Sequence, residues 1–179
     1  SPEEHIGTWI GNEIVKAEVN ISGVGIMPVA VLSTVSTAKT REKIESLRPR
    51  RDTGFIPPPL DSTGILVRSV PVPEMLPATF GGMFSEFREA YYAITSHYVI
   101  FGTDENTVRA FIIASEFGRT LRKDRGYADF SSNMATEASV TMYAAVPKTQ
   151  ELIDDRAEAG LRADVSHRKD LLKRFDGIV

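Results

Sequence analysis

The sequence predicts an α+β domain with a mainly antiparallel sheet and helices packed on one face. Apolar and polar residues alternate at 13–21, and two short apolar runs flank a turn at 91–101, so both stretches predict strands. A helix-like segment follows directly after each pair of strands. These observations predict two ββα units, and a helical pattern at 149–175 predicts a long C-terminal helix that closes the domain.

The first predicted ββα unit begins with the alternating residues 13–21, which are typical of a half-buried strand. A β-branched run at 29–35 predicts the second strand, and the glycines and the proline between the two runs predict the connection. Ser36 or Thr37 then caps a short helix that ends near Leu47. The residues expected in its buried stripe are Ala38, Ile44 and Leu47.

The segment between the two units is rich in proline and is predicted to be irregular. Residues 49–64 contain three consecutive prolines, which fix φ and donate no backbone hydrogen bond. Residues 65–70 return to strand character, and the prolines at 71–77 predict the end of this strand. A brief helical turn is expected at 80–87.

The second predicted unit is a β-hairpin followed by a helix. Strands at 91–95 and 98–101 flank Ser96 and His97, which supply the turn. Thr103 is the predicted N-cap of the helix. The expected inner face of this helix comprises Val108, Phe111, Ile112 and Ser115, and its expected C-terminal glycine is Gly118.

The remainder of the chain predicts one more short helix and one more strand before the C-terminal helix. Asp124 is the predicted N-cap of the short helix, which would bring Tyr127, Phe130 and Met134 together. Residues 139–146 alternate and predict a strand that Pro147 ends. We expect residues 1–179 to form a single α+β domain.

Charge and composition exclude several classes of function. The chain has 179 residues, with 21 Lys and Arg against 24 Asp and Glu, which gives a net charge of −3. This near-neutral balance gives no general attraction to nucleic acid, so no nucleic-acid partner is expected. The chain contains no cysteine, which excludes disulfides and thiolate nucleophiles. No apolar run approaches the roughly 18 residues of a membrane-spanning helix, so no transmembrane segment is expected.

The sequence does not favour catalysis or a cofactor. Ser36 and Lys39 form an S-x-x-K pattern of the kind found in serine β-lactamases, but residues 148–150 lack the glycine of that enzyme class. The spacing typical of metal ligands is missing from the three histidines, His5, His97 and His167. We therefore expect no catalytic residue, no metal site and no cofactor.

A few charged residues are candidates for contact with a ligand or a partner. Glu13 falls on the same strand face as Val15, where a buried carboxylate would require a partner. Arginines of the following loop could converge on Glu13 in three dimensions. The candidate residues are Glu13, Arg48, Arg50 and Arg51.

A basic stretch adds a further alternative. Residues 39–51 contain six basic residues against two acidic ones, a local net charge of 6 − 2 = +4. Such a stretch is typical of a solvated helix and loop, and it is also able to attract an anionic polymer. Polyanion binding through Lys39 to Arg51 is therefore a further functional alternative.

Three groups of residues are shared with a known family. They are Trp9–Ile14; Phe80–Phe84 with Tyr91–Gly102; and Gly118–Leu121 with Asp124, Tyr127, Phe130 and Tyr143. On these residues, the chain resembles from about 9 to 178 a bacterial cell-envelope family known only as a domain of unknown function. The resemblance implies a periplasmic or lipid-anchored location. It also implies an exported parent protein, with further domains on both sides, of which this chain is a fragment.

The sequence as a whole predicts a non-catalytic interaction or scaffold domain of a bacterial envelope protein. Its expected partners are other domains of the same parent protein or other envelope proteins. The first alternative is a small-ligand-binding or hydrolytic domain with a site near Glu13. The second is the polyanion binding described above.

Overall fold

The computed structural model describes residues 8–21, 25–47 and 64–133, together with Thr141 and Tyr143. The chain divides into two compact units, residues 1–113 and 114–179. The predicted strand at 139–146 and the predicted helix at 149–175 lie outside the described residues, apart from Thr141 and Tyr143. So does the proline-rich loop, except for Gly64.

The first unit contains an antiparallel sheet of five strands, which confirms the α+β class. The sheet order is β1-β2-β5-β4-β3, and every neighbouring pair is antiparallel. β1 and β3 therefore form the two edges of the described sheet. The strands are β1 (Ile10–Ile21), β2 (Gly25–Thr34), β3 (Arg68–Ser69), β4 (Tyr91–Ile94) and β5 (Tyr98–Gly102).

The described residues also form four α-helices and two 3-10 helices. The third α-helix begins in the first unit and extends past residue 113 into the second unit. The α-helices are α1 (Thr37–Ser46), α2 (Met75–Phe80), α3 (Glu105–Glu116) and α4 (Arg125–Ser132). The 3-10 helices are Gly82–Phe87 and Leu121–Lys123.

The helices of the first unit pack on both faces of its sheet, and the prediction of a single covered face is wrong. One core joins Leu32, Tyr92 and Phe101 to the first two helices and the 3-10 helix at Gly82–Phe87. The other core joins Ile100 of the same sheet to α3. The physical reason is that residues 98–102 are apolar or glycine at almost every position, so that both faces of β5 need cover.

The helix α1 has the predicted ends but a different buried stripe. Ser36 is its N-cap, with Oγ accepting a hydrogen bond from the Lys39 N–H, and Leu47 is its C-cap. Thr40 and Ile44 are buried, whereas Ala38 is exposed. Thr40 takes the inner position because its hydroxyl lies 2.5 Å from that of Thr34. It also donates to the Ser36 carbonyl.

The strand β2 starts four residues earlier than predicted and contains Gly25 and Pro28. Proline has no backbone N–H to donate. It therefore fits a central strand only where the neighbouring strand offers no carbonyl to that position. In β2, the even-numbered residues direct their backbone N–H and C=O groups toward β5, as the hydrogen bond from the Thr34 N–H to the His97 carbonyl shows. Pairing with β5 begins only at Val29, so the nitrogen of Pro28 points past the end of β5.

The helix α2 was not predicted, because the three prolines at 71–77 indicated a break. Pro77 is the third residue of α2, where a backbone N–H would have no partner inside the helix. Met75 and Leu76 of the same turn are buried. The predicted strand at 65–70 is reduced to the two residues of β3.

The hairpin of β4 and β5 confirms the prediction, while the cap of α3 differs by one residue. Asp104, not Thr103, accepts the hydrogen bond from the Thr107 N–H at 2.9 Å. Its second carboxylate oxygen accepts from the Thr107 hydroxyl. Aspartate provides two acceptors at this position and a charge that suits the positive helix end, which explains its selection.

In the second unit, α4 is capped as predicted. The Asp124 carboxylate accepts from the Tyr127 N–H at 3.1 Å. Tyr127 and Phe130 both pack against Tyr143, at ring-centroid distances of 5.1 and 4.9 Å. Met134, the third predicted member of this group, lies outside the described residues.

Candidate interaction surface

The backbone of β1 presents a regular row of groups at its outer edge. The Val35 N–H donates to the Trp9 carbonyl. The odd-numbered residues of β2 therefore direct their backbone N–H and C=O groups toward β1. The register pairs Val15 with Val31, which makes the odd-numbered residues of β1 the hydrogen-bonded partners of β2. The residues that turn their N–H and C=O groups outward are therefore Lys16, Glu18 and Asn20.

Apolar side chains in the middle of β1 are open to solvent. Ile14 is 44% exposed and Val15 is 50% exposed, although the two side chains point to opposite faces of the sheet. Long edge strands with exposed apolar residues are surfaces on which another strand is able to pair. β1 has 12 residues, about twice the usual strand length of 5–6.

Two residues of β1 near these apolar side chains, Lys16 and Glu18, carry opposite charges. The Lys16 ammonium lies 2.8 Å from a carboxylate oxygen of Glu86, in the 3-10 helix at Gly82–Phe87. Both carboxylate oxygens of Glu18 are shielded from solvent. Neither Lys16 nor Glu18 was among the site residues predicted from the sequence. A lysine in the centre of a strand was the available indication, because such residues are common on edge strands.

Glu13 lies in an irregular part of the same strand. Ile10 pairs with Thr34 and Ile14 pairs with Leu32, so β1 has two more residues than β2 between these pairs. Ser33 fills this bulge by accepting from the Glu13 N–H at 2.9 Å and donating to the Glu13 carbonyl at 3.2 Å. The Glu13 side chain is exposed.

The surroundings of the Glu13 carboxylate are sparse within the described chain. The Tyr98 hydroxyl lies 3.5 Å from Oε2, at the limit of hydrogen bonding. Arg48, Arg50 and Arg51, which were expected to accompany Glu13, lie outside the described residues. The arrangement around Glu13 is thus one exposed acid beside one tyrosine.

A shallow depression on another part of the first unit contains two arginines. Its volume is about 40 Å³, little more than the roughly 30 Å³ that one water occupies in the liquid. Small-molecule sites measure about 300–1,000 Å³, so this depression suits one ionic group of a larger ligand. Its lining residues are Arg41, Leu66, Arg68, Tyr92 and Ile94.

The two arginines differ in their surroundings. Arg68 forms an ion pair with Glu45, toward which the Tyr92 hydroxyl also points at 3.5 Å. Arg41 is exposed, and it forms no ion pair with any residue that the structure describes. Lys39, the neighbouring cation of the basic stretch, is exposed as well.

The residues of the catalytic alternatives have structural roles where they are described. The Ser36 hydroxyl caps α1, so its place in the S-x-x-K pattern reflects a helix start. His97 is exposed in the hairpin turn, with Nδ1 at 2.9 Å from the Ser96 hydroxyl. Across residues 8–21, 25–47 and 64–133, no three His, Cys, Asp or Glu side chains gather into a group that could hold a metal ion.

Comparison with known proteins yields no match, since no family model, no curated protein and no solved structure is significantly similar to this chain. In the part of the chain that the structure covers, no helix is both long enough and apolar enough to cross a bilayer.

Proposed function

We propose that this chain is a non-catalytic interaction domain whose binding surface is the outer edge of β1. The observation that carries the proposal is the pair of outward-facing residues Lys16 and Asn20 on β1, whose N–H and C=O groups lie near the exposed Ile14 and Val15. An extended segment that adds to a sheet edge gains main-chain hydrogen bonds from such groups and specificity from the adjacent side chains.

The same proposal includes the family and the location that the sequence resemblance implies. The domain would belong to a bacterial cell-envelope protein, periplasmic or lipid-anchored, and act as a scaffold for other domains of its parent or for other envelope proteins. Two ββα units and a long C-terminal helix complete the proposed architecture. The order β1-β2-α1 and β4-β5-α3 supports the two units.

Selection of peptides tests the proposed binding surface. Random peptides displayed on phage are selected on the immobilised chain, and the affinity of each is then measured for the Asn20→Pro and Asn20→Ala variants. Proline removes an outward N–H, whereas alanine keeps it and serves as the control. We expect binding to Asn20→Pro to be about two- to tenfold weaker, since one hydrogen bond contributes about 0.5–1.5 kcal/mol. Equal binding to both variants would refute this surface.

Anion binding is a second candidate function, favoured by the exposed Arg41 beside the ion-paired Arg68 in one depression. Guanidinium groups suit carboxylates and phosphates because they donate paired hydrogen bonds. This candidate covers the proposed polyanion binding through Lys39 to Arg51. A ligand site near Glu13 remains the other proposal for a small molecule.

Heparin chromatography separates this candidate from the first. We expect Arg41→Ala to elute at lower salt than the wild type, with Arg88→Ala as the control, since Arg88 is exposed and lies outside the depression. Retention that is equal in both variants would exclude the depression as an anion site.

A further inference from the structure

We propose that residues 117–125, from the end of α3 to the start of α4, form a binding surface for a lipid bilayer with anionic headgroups. We call this segment the basic turn. It lies in the second compact unit, and none of its residues belongs to β1 or to the depression around Arg41. This surface therefore goes beyond the proposed function.

Positive charge is concentrated in the basic turn. The turn contains four cations and one acid, a local net charge of 4 − 1 = +3, in a chain whose net charge is −3. The acid, Asp124, caps α4. All four cationic residues are exposed, and none forms an ion pair with a residue that the structure describes. These four are Arg119, Arg122, Lys123 and Arg125. Their charges are thus available to an anionic partner.

Two large apolar side chains of the same segment are open to solvent. Phe117 is 79% exposed, more than any other large apolar residue of the described chain, and Leu121 is 53% exposed. Single exposed apolar residues are ordinary on protein surfaces, but these two occur four residues apart and among cations. A surface of this composition fits the interface of an anionic bilayer, where the headgroups attract cations and the acyl chains accept apolar groups.

Backbone hydrogen bonds hold the basic turn in a defined shape. The Gly118 N–H donates to the Ser115 carbonyl and the Arg119 N–H donates to the Ala114 carbonyl, both at 2.9 Å, and these bonds end α3. Gly118 has a φ of +70°, which glycine adopts without strain. The Lys123 ammonium folds back over this glycine and occupies the space of a Cβ atom. Because the turn is formed before a partner binds, little entropy is lost in ordering its backbone.

The apolar residues favour a bilayer over a soluble polyanion as the partner. A soluble polyanion would contact the cations in water and leave Phe117 and Leu121 exposed, whereas a bilayer removes both side chains from water. The attraction of the cations and the burial of the apolar side chains then act together. The proposed partner is therefore a membrane surface.

Vesicle sedimentation tests the contribution of charge. The full-length chain is mixed with vesicles of phosphatidylcholine alone, or of equal parts of phosphatidylcholine and phosphatidylglycerol. We expect binding to the anionic vesicles that weakens as salt is added. We expect Arg122→Ala to lower the partition coefficient about fivefold, the contribution of one cation near an anionic surface. Arg88→Ala is the matched control, because it removes the same charge from an exposed position in the first unit.

Insertion of the apolar side chains has its own test. We expect Phe117→Ala to lower the partition coefficient at least about fivefold. Met83→Ala is the matched control, since Met83 is 66% exposed and lies in the first unit. In a Phe117→Trp variant, lipids with brominated acyl chains are expected to quench the fluorescence of the new tryptophan. The native tryptophan, Trp9, is 1% exposed and provides a constant background.

Three results would overturn the proposal. The first is equal binding to the two kinds of vesicle, and the second is an equal effect of Arg122→Ala and Arg88→Ala. The third is binding to anionic vesicles without quenching of the Phe117→Trp variant. If the chain ignores vesicles but loses retention on heparin in Arg122→Ala, the partner of the basic turn is a soluble polyanion and the bilayer is wrong.

Discussion

The Asp104 carboxylate sets the beginning of α3 through two hydrogen bonds to Thr107. Thr103 was the predicted cap, and the sequence Thr103-Asp104 allows either residue to serve. Only the path of the chain after β5 decides which side chain reaches the open N–H groups, and this path was not predictable from local pattern.

Replacement of Asp104 tests this cap. We expect Asp104→Ala to lower the free energy of unfolding by about 0.5–2 kcal/mol, measured by urea denaturation. Asp104→Asn is the matched control, because an asparagine oxygen accepts the same bond from the Thr107 N–H. Equal losses in the two variants would contradict the capping role.

Gly102 marks a close approach between β5 and α3. A Cβ atom at this position would lie 2.9 Å from Val108 Cγ2 and 3.1 Å from Thr107 Cγ2. We expect Gly102→Ala to destabilise the protein by about 1–3 kcal/mol because the buried helix must shift. Gly82→Ala is the control, since nothing lies within 4 Å of its added Cβ. A neutral Gly102→Ala in thermal denaturation would show that α3 packs more loosely than described.

At the scale of elements, the local sequence pattern predicted those helices and turns that depend only on residues close together in the chain. The ends of α1 follow from the Ser36 cap, and the hairpin of β4 and β5 follows from two apolar runs around a two-residue polar turn. The helix α2 was missed because a proline in the first turn of a helix looks the same in the sequence as a proline that ends regular structure. The bulge that exposes Glu13 was missed because it depends on Ser33 in another strand.

The orientation of β1 is testable with two adjacent prolines. The Val19 N–H faces β2 and the Asn20 N–H faces outward. We expect Val19→Pro to lower the free energy of unfolding by about 1–3 kcal/mol, because it removes a ladder bond and leaves a carbonyl of β2 without its partner, and Asn20→Pro to lower it much less. Urea denaturation measures both, and Val19→Ala corrects for the lost apolar side chain. The orientation would be wrong if the two prolines were equally destabilising.

At the scale of the whole molecule, the sheet order determines where the interaction surface lies. Alternation along residues 13–21 predicted a half-buried strand but gave no indication whether that strand was central or at an edge. The order β1-β2-β5-β4-β3 places it at an edge of the described sheet, and this position is the basis of the proposed interaction surface.

The packing of the sheet also shows why helices were predicted on one of its faces, whereas they cover both. Helix patterns in sequence show an apolar stripe but not the face of the sheet that receives it. Phe101 and Ile100 are consecutive residues of β5 that belong to different cores. The candidate site was therefore less predictable than the fold, because it consists of a position in the sheet rather than a motif.

The most direct test of the interaction surface is amide hydrogen exchange in β1, measured by NMR residue by residue as the protein is diluted. We expect alternation in dilute solution: slow exchange at Val15, Ala17 and Val19, whose N–H groups bond to β2, and fast exchange at Lys16 and Asn20. Addition of a peptide selected on the immobilised chain should protect the outward amides of Lys16 and Asn20. Protection of the outward amides that is strong at every concentration would show that the edge is already covered within one chain, and would contradict the account.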